Sequence, residues 1–95
     1  MPRKYPPLTP AQVRDILQRH GFALRGTEGS HEQWVHDSVN GKPRHVTVDS
    51  GYREFDDDRI KTMIAQSGLS REEFYGVTKA GRKRLNLRWR RPKNS

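Results

Sequence analysis

The sequence predicts an α+β domain in the order helix, three strands, helix, followed by a short extra C-terminal helix and a basic tail. Three observations predict it. A capped segment with apolar residues at helical spacing occupies residues 10–20, and three short alternating segments lie between residues 21 and 49. A second capped, apolar-periodic segment then starts at Asp56. Two helices laid on one face of a three-stranded antiparallel sheet leave the other face open.

The first helix carries unusually complete start signals. Thr9 is the N-cap, Pro10 takes the first helical position, and Gln12 closes a capping box. Leu8 and Val13 form a hydrophobic staple across the cap. Val13, Ile16, Leu17 and His20 repeat at helical spacing, and Gly21 is placed to end the helix in a left-handed turn. Residues 1–7, with three prolines and two basic residues, read as an extended lead-in.

Residues 21–26 alternate, with Phe22 and Leu24 on one face and Ala23 and Arg25 on the other. Residues 26–30 read as a turn. A second strand at 31–37 puts Trp34 on one face and His31, Gln33 and Val35 on the other. The third, 44–49, alternates Val46 and Val48 with His45, Thr47 and Asp49. Asn40-Gly41 marks the hairpin between them. A two-residue loop would pair Val39 with Lys42 and set Trp34 against Thr47, scattering the apolar side chains over both faces. A three-residue loop over residues 39–41, with Gly41 left-handed, sets Trp34 against Val46 and is preferred, because a one-residue slip moves a whole apolar face. That register places His31 opposite Asp49.

Residues 51–55 read as a loop, and Asp56-Asp57-Asp58 opens the next helix with charges that suit its N-terminal dipole. Ile60, Met63 and Ile64 make its buried stripe, Gly68 ends it, and Leu69 is placed to fold back onto Ile64 in a Schellman arrangement. Ser70-Arg71-Glu72-Glu73 is a second capping box, opening a short helical turn that carries Phe74 and Tyr75. The domain is thus expected over residues 8–75, and residues 76–95 as a basic, flexible tail. Within that tail, Leu85 to Trp89 alternates and has the pattern of an added edge strand.

Composition narrows the classes. The chain has 95 residues, 31% of them hydrophobic, and a mean hydropathy of −1.09, so the core is thin. No apolar run approaches a membrane span, and the N-terminus lacks the apolar stretch of a secretory signal. The absence of cysteine excludes disulfides and thiolate metal sites and suits the cytoplasm, which is the expected location. The net charge of +8 is unevenly placed. Residues 1–75 balance 11 basic against 11 acidic residues, and the rest of the chain is basic with no acid. Lys79, Arg82, Lys83, Arg84, Arg88, Trp89, Arg90 and Arg91 have two readings. One is a nucleic-acid arm in which Trp89 stacks on a base while the charges track phosphates. The other is a disordered solubilising end, or a segment that folds only on a protein partner.

Few residues here can do chemistry. Histidine titrates near neutral pH, and His31 stands on the expected open face behind the Gly29-Ser30 turn, with Ser30 and Asp49 as neighbours. A strand-start histidine bonded only to its surroundings is the plain alternative. His20 reads as a helix-end residue bonding the last carbonyls, His36 as packed on the Trp34 side, and His45 as sharing the side of His31. The four do not have the spacing of a metal site, and neither metal nor cofactor is expected. Arg25, Lys42 and Arg44 are candidate phosphate contacts.

Leu8-Thr9-Pro10, His20-Gly21-Phe22, Gly29-Ser30-His31 with Trp34, Val46-Thr47-Val48, and the run from Ser67 to Phe74 occur in an order that resembles the HicA toxin family. These are the small mRNA interferases of bacterial HicA–HicB toxin–antitoxin pairs. The resemblance spans residues 8–75. It implies a double-stranded-RNA-binding-like αβββα fold and metal-independent endoribonuclease activity on mRNA, with His31 as the catalytic histidine. It also implies a HicB-like antitoxin partner that covers the active site, and contact with operator DNA only through the toxin–antitoxin complex. Many relatives carry a proline and a histidine after the third strand, whereas this chain has Asp49-Ser50-Gly51-Tyr52. A non-catalytic RNA-binding or protein-interaction module on the same fold is the competing expectation.

Overall fold

The computed structural model describes residues 4–85. Helix α1 spans Pro10–Arg19, strands β1, β2 and β3 span Ala23–Glu28, His31–Val39 and Lys42–Asp49, and helices α2, α3 and α4 span Asp57–Ser67, Arg71–Gly76 and Lys79–Arg84. The sheet is antiparallel in the order β1-β2-β3. Val13, Ile16 and Leu17 of α1, Trp34, Val46 and Val48 of the sheet, and Ile60, Met63 and Ile64 of α2 share one buried cluster. The α+β, helix–three-strand–helix expectation holds.

Local chemistry explains the helix ends. Thr9 and Gln12 form the reciprocal capping box at 3.1 and 2.9 Å, and Ser70 and Glu73 form the second at 3.0 and 2.8 Å. Gly21, at φ +90, lets Phe22 N–H reach Leu17 O at 2.9 Å while its own N–H reaches Gln18 O at 3.0 Å, a Schellman ending. After Gly68 the outcome differs from the expected one. Leu69 N–H donates to the Ser67 hydroxyl at 3.1 Å instead of running back to a helix carbonyl, and that hydroxyl in turn donates to Ile64 O.

The β2–β3 register is the expected one, with Trp34 opposite Val46 and His31 opposite Asp49. The loop that produces it is not. Val39 pairs with Lys42 across a two-residue turn in which Asn40 and Gly41 both have positive φ, as a type I′ turn requires. The register shifts by one between His36 and Val39, so Asp37 and Ser38 together face Pro43. Pro43 has no N–H to give a ladder, and the bulge sits where none is needed. The extra residue is therefore absorbed in the strand and not in the loop. β1 also runs further than expected, to Glu28, and meets β2 across a two-residue turn, Gly29-Ser30, after a second bulge at Arg25.

Both chain ends described here are tied down. Phe55 N–H donates to Leu8 O at 2.8 Å, and the buried Tyr75 hydroxyl donates to Pro6 O at 2.7 Å. The flexible tail expected from residue 76 is corrected for residues 76–85. Thr78 caps α4 through Gly81 N–H at 2.9 Å, α4 packs on α3 and α1, and Leu85 joins the core. An added Cβ on Gly81 would come within 2.1 Å of Tyr75 O, so only glycine permits that approach. The edge-strand expectation began at Leu85, which instead caps α4; residues 86–95 lie outside the described residues.

One interaction went unforeseen. Glu32, only 8% exposed, lies on the helix-covered side of β2 and receives a bidentate pair from Arg14 of α1 at 2.8–3.0 Å. Trp34 Nε1–H donates to the same carboxylate at 3.0 Å. Planar guanidinium and carboxylate match in this geometry, so the pair pins α1 across the sheet.

Candidate active site

His31 begins β2 immediately after the Gly29-Ser30 turn. Gly29 has φ +60 in the first turn position, and an added Cβ would meet nothing, so the backbone and not the space calls for glycine there. Ser30 O accepts from Ser50 N–H at 2.8 Å, which clamps this turn to the end of β3. Strand phase then puts the imidazole on the open face, where it is 56% exposed.

His31 Nε2 lies 3.2 Å from Asp49 Oδ2. The Ser30 hydroxyl bonds the same carboxylate, and Asp49 Oδ1 accepts from Gly51 N–H at 2.9 Å. Those two hydrogen bonds, with the nearby imidazole, hold the Asp49 carboxyl below its ordinary range. An ionised carboxylate facing Nε2 favours a proton on that nitrogen and leaves Nδ1 as the one able to take a proton from a substrate. Ser30, His31 and Asp49, singled out in sequence, are thus brought together, and Gly29 shapes their turn.

The imidazole also lines a cleft of about 320 Å³ between the end of the sheet and α2. Thr47 and Asp49 form one wall, and Tyr52, Arg59, Thr62 and Gln66 form the other over Phe55 and Met63. Gln66 Oε1 accepts from Thr47 N–H at 3.3 Å, closing the outer edge of β3 against the helix. Sequence reasoning missed this wall. Its signal was a second stripe on α2, Arg59, Thr62, Met63 and Gln66, at helical spacing beside the buried one.

The other candidates lie elsewhere. Arg25 sits with Gln33 and His45 in a second depression on the open face. His45 is four residues along β3 from Asp49, about 13 Å away at the usual strand rise, so it does not share a proton with His31. It is bonded to Gln33 Oε1, which also accepts from the Thr47 hydroxyl. Lys42 and Arg44 are not brought to His31. Both follow the β3 phase of Val46, on the covered side, and Arg44 Nε donates to Val39 O at 3.1 Å while its head lies across Gly68. Arg82 donates to Gly76 O, Arg84 lies 3.7 Å from Glu54, and neither they nor Lys79 and Lys83 line the His31 cleft. Arg88, Trp89, Arg90 and Arg91 lie outside the described residues. His20 bonds Glu73 O of α3 at 2.8 Å, not the carbonyls of its own helix, and His36 packs edge-on against Phe22. Among the described residues no group of three or more His, Cys, Asp or Glu is placed to hold a metal, and no helix is long and apolar enough to cross a membrane.

A three-stranded antiparallel sheet with helices packed on one face, and an exposed histidine–carboxylate pair in a cleft at its end, defines a small α+β domain of double-stranded-RNA-binding-like plan. The family model described as HicA toxin of bacterial toxin–antitoxin matches residues 11–69, more than half of the chain. The chain belongs to the HicA toxin family, and that membership implies a toxin of a toxin–antitoxin system with a cognate antitoxin. No match is found among curated proteins.

Proposed function

We propose that the protein is an mRNA-cleaving endoribonuclease in which His31 transfers the proton and Asp49 orients it. The observation that carries this reading is the 3.2 Å His31–Asp49 contact in a solvent-open cleft. RNA supplies its own nucleophile. His31 Nδ1 takes the proton of a 2′-hydroxyl, the oxygen attacks the adjacent phosphorus, and the P–O5′ bond breaks to leave a 2′,3′-cyclic phosphate. The imidazolium then returns the proton, through water, to the departing 5′-oxygen. Asp49 stabilises the imidazolium and holds the ring's tautomer.

Arg25 and His45, further along the open face, are placed for a flanking phosphate, and the basic residues from Lys79 onward raise the local concentration of a polyanion. A HicB-like antitoxin covering the cleft would silence the site, and operator DNA would be contacted only by the complex. The setting is the cytoplasm, where mRNA is the substrate. The test incubates EDTA-treated protein and its His31→Ala variant with RNA. Cleavage by the first and none by the folded second supports the reading. Equal cleavage by both removes His31 from the chemistry, and salt-sensitive binding without cleavage by either replaces the reading with a binding module.

A further inference from the structure

The least explained part of the cleft is the wall across from His31. Arg59 places its guanidinium carbon 4.3 Å from the centroid of the Tyr52 ring. Phe55 supports that ring from a tilted position at 5.7 Å. Asp56 holds Arg59 twice, accepting its backbone N–H at 3.0 Å and its Nη1 at 3.2 Å. An arginine that is 47% exposed would ordinarily sample many rotamers, and stacking together with the ion pair restricts this one. Both Tyr52 and Arg59 line the His31 cleft.

This arrangement suits one ligand chemistry better than another. A carboxylate already neutralises part of the guanidinium charge, which weakens its pull on a phosphate. It does not cover the guanidinium face turned away from Tyr52, in a side chain that is about half exposed. Flat cations and aromatic rings are the surfaces on which unpaired bases stack. Beside them, Gln66 has its amide oxygen engaged by Thr47 and keeps its NH2 as a donor for a base edge.

We propose that the Tyr52–Arg59 stack is a nucleobase subsite that receives an unpaired base flanking the phosphate at His31, so that the protein selects single-stranded RNA. The proposal rests on the ribonuclease reading for its substrate class, but its test does not depend on cleavage. A paired base is already stacked within its helix and cannot enter, so duplex RNA gains nothing from this wall.

The experiment measures binding of a single-stranded RNA oligonucleotide whose 2′-hydroxyls are methylated, and of a set in which each nucleotide in turn is abasic. It uses the full chain and the variants Arg59→Lys, Tyr52→Ala and Tyr52→Phe, with cleavage of unmethylated RNA followed in parallel. Arg59→Lys, which keeps the charge and loses the plane, and Tyr52→Ala each weaken binding about 10-fold, the scale of one stacked base. Tyr52→Phe binds like the parent. On the oligonucleotide with the relevant base removed, parent and variants bind alike.

Parent-like binding by Arg59→Lys, or a loss that persists at every abasic position, overturns the proposal and leaves Arg59 as a phosphate contact or only an α2 cap. Should Tyr52→Ala fail to fold, Arg59→Lys, altered at an exposed head, carries the test. Base-dependent binding without cleavage would remove the catalytic role of His31 and leave the subsite standing. Cleavage with binding indifferent to the base would remove the subsite alone.

Discussion

Strand β2 carries the two most telling side chains on opposite faces: Glu32 toward the helices and His31 toward solvent. Each belongs to a charge pair, Glu32 with Arg14 and His31 with Asp49, and in each the carboxyl is held below its ordinary range. For Glu32 the leading cause is the Arg14 hydrogen bond; for Asp49 it is the Ser30 hydroxyl, followed by Gly51 N–H. The difference lies in the partner. Arginine does not titrate in the working range of a protein, so the Glu32 pair is a fixed strut between α1 and the sheet. Histidine is the side-chain type able to exchange a proton near neutral pH, and the exposed position of His31 leaves a ring nitrogen open to solvent. One strand thus carries a fixed strut on one face and, on the proposed reading, the proton-transfer histidine on the other.

The comparison breaks most visibly at His31. His31→Ala should lower RNA cleavage by about 10³-fold, within the span of a lost general acid–base group. Its melting temperature should stay near the parent's, as measured by circular dichroism, because an exposed ring contributes little to packing. Arg14→Ala should do the reverse. It strands a buried carboxylate and costs about 2 kcal/mol, discounted because Arg14 is one-third exposed, while a cleavage assay below the new melting temperature stays near the parent's.

Asp49→Asn should reduce cleavage by about 10-fold with little loss of stability, since the amide oxygen of asparagine can still accept from Gly51 N–H. Single-turnover rates against pH would show the role. The parent keeps its Asp49 contribution until pH falls below the ordinary aspartate range, because the folded carboxyl is held low. The variant's rate, compared with the parent's, should recover toward parity only below that range.

The smallest effect concerns acid. The folded Glu32 carboxyl lies below its ordinary value of 4.5, so its contribution is present in full above pH 4.5 and is lost as pH falls through the folded value. The melting-temperature gap between parent and Glu32→Gln should therefore narrow from pH 6 to pH 3. A gap that stays constant would mean that packing, not charge, supplies the strut.

Local chemistry made much of this legible. Thr9 and Ser70 announce their helices because a hydroxyl followed three residues later by Gln or Glu satisfies orphan backbone groups in either direction. His31 opposite Asp49 was readable from the apolar alternation, since only that register keeps Trp34 and Val46 on one face. The loop that joins these strands differs from the expected three-residue one. Asn40-Gly41 makes the two-residue turn its chemistry prefers, and the compensating residue sits in a bulge facing Pro43, which alternation alone does not locate.

What the sequence by itself determined is set by contacts a few residues long: the helix starts, the turns at Gly29 and Gly41, the phase of each strand, and hence the face on which His31 stands. What only the tertiary structure decided is what meets across the chain. Arg14 finds Glu32, α2 brings Tyr52 and Arg59 to the cleft, and Leu85 closes onto the core. The physical reason is range. Caps, turns and alternation are energies of neighbouring residues, whereas an ion pair or a cleft wall depends on where separate elements come to rest, and that is settled by packing the whole core at once.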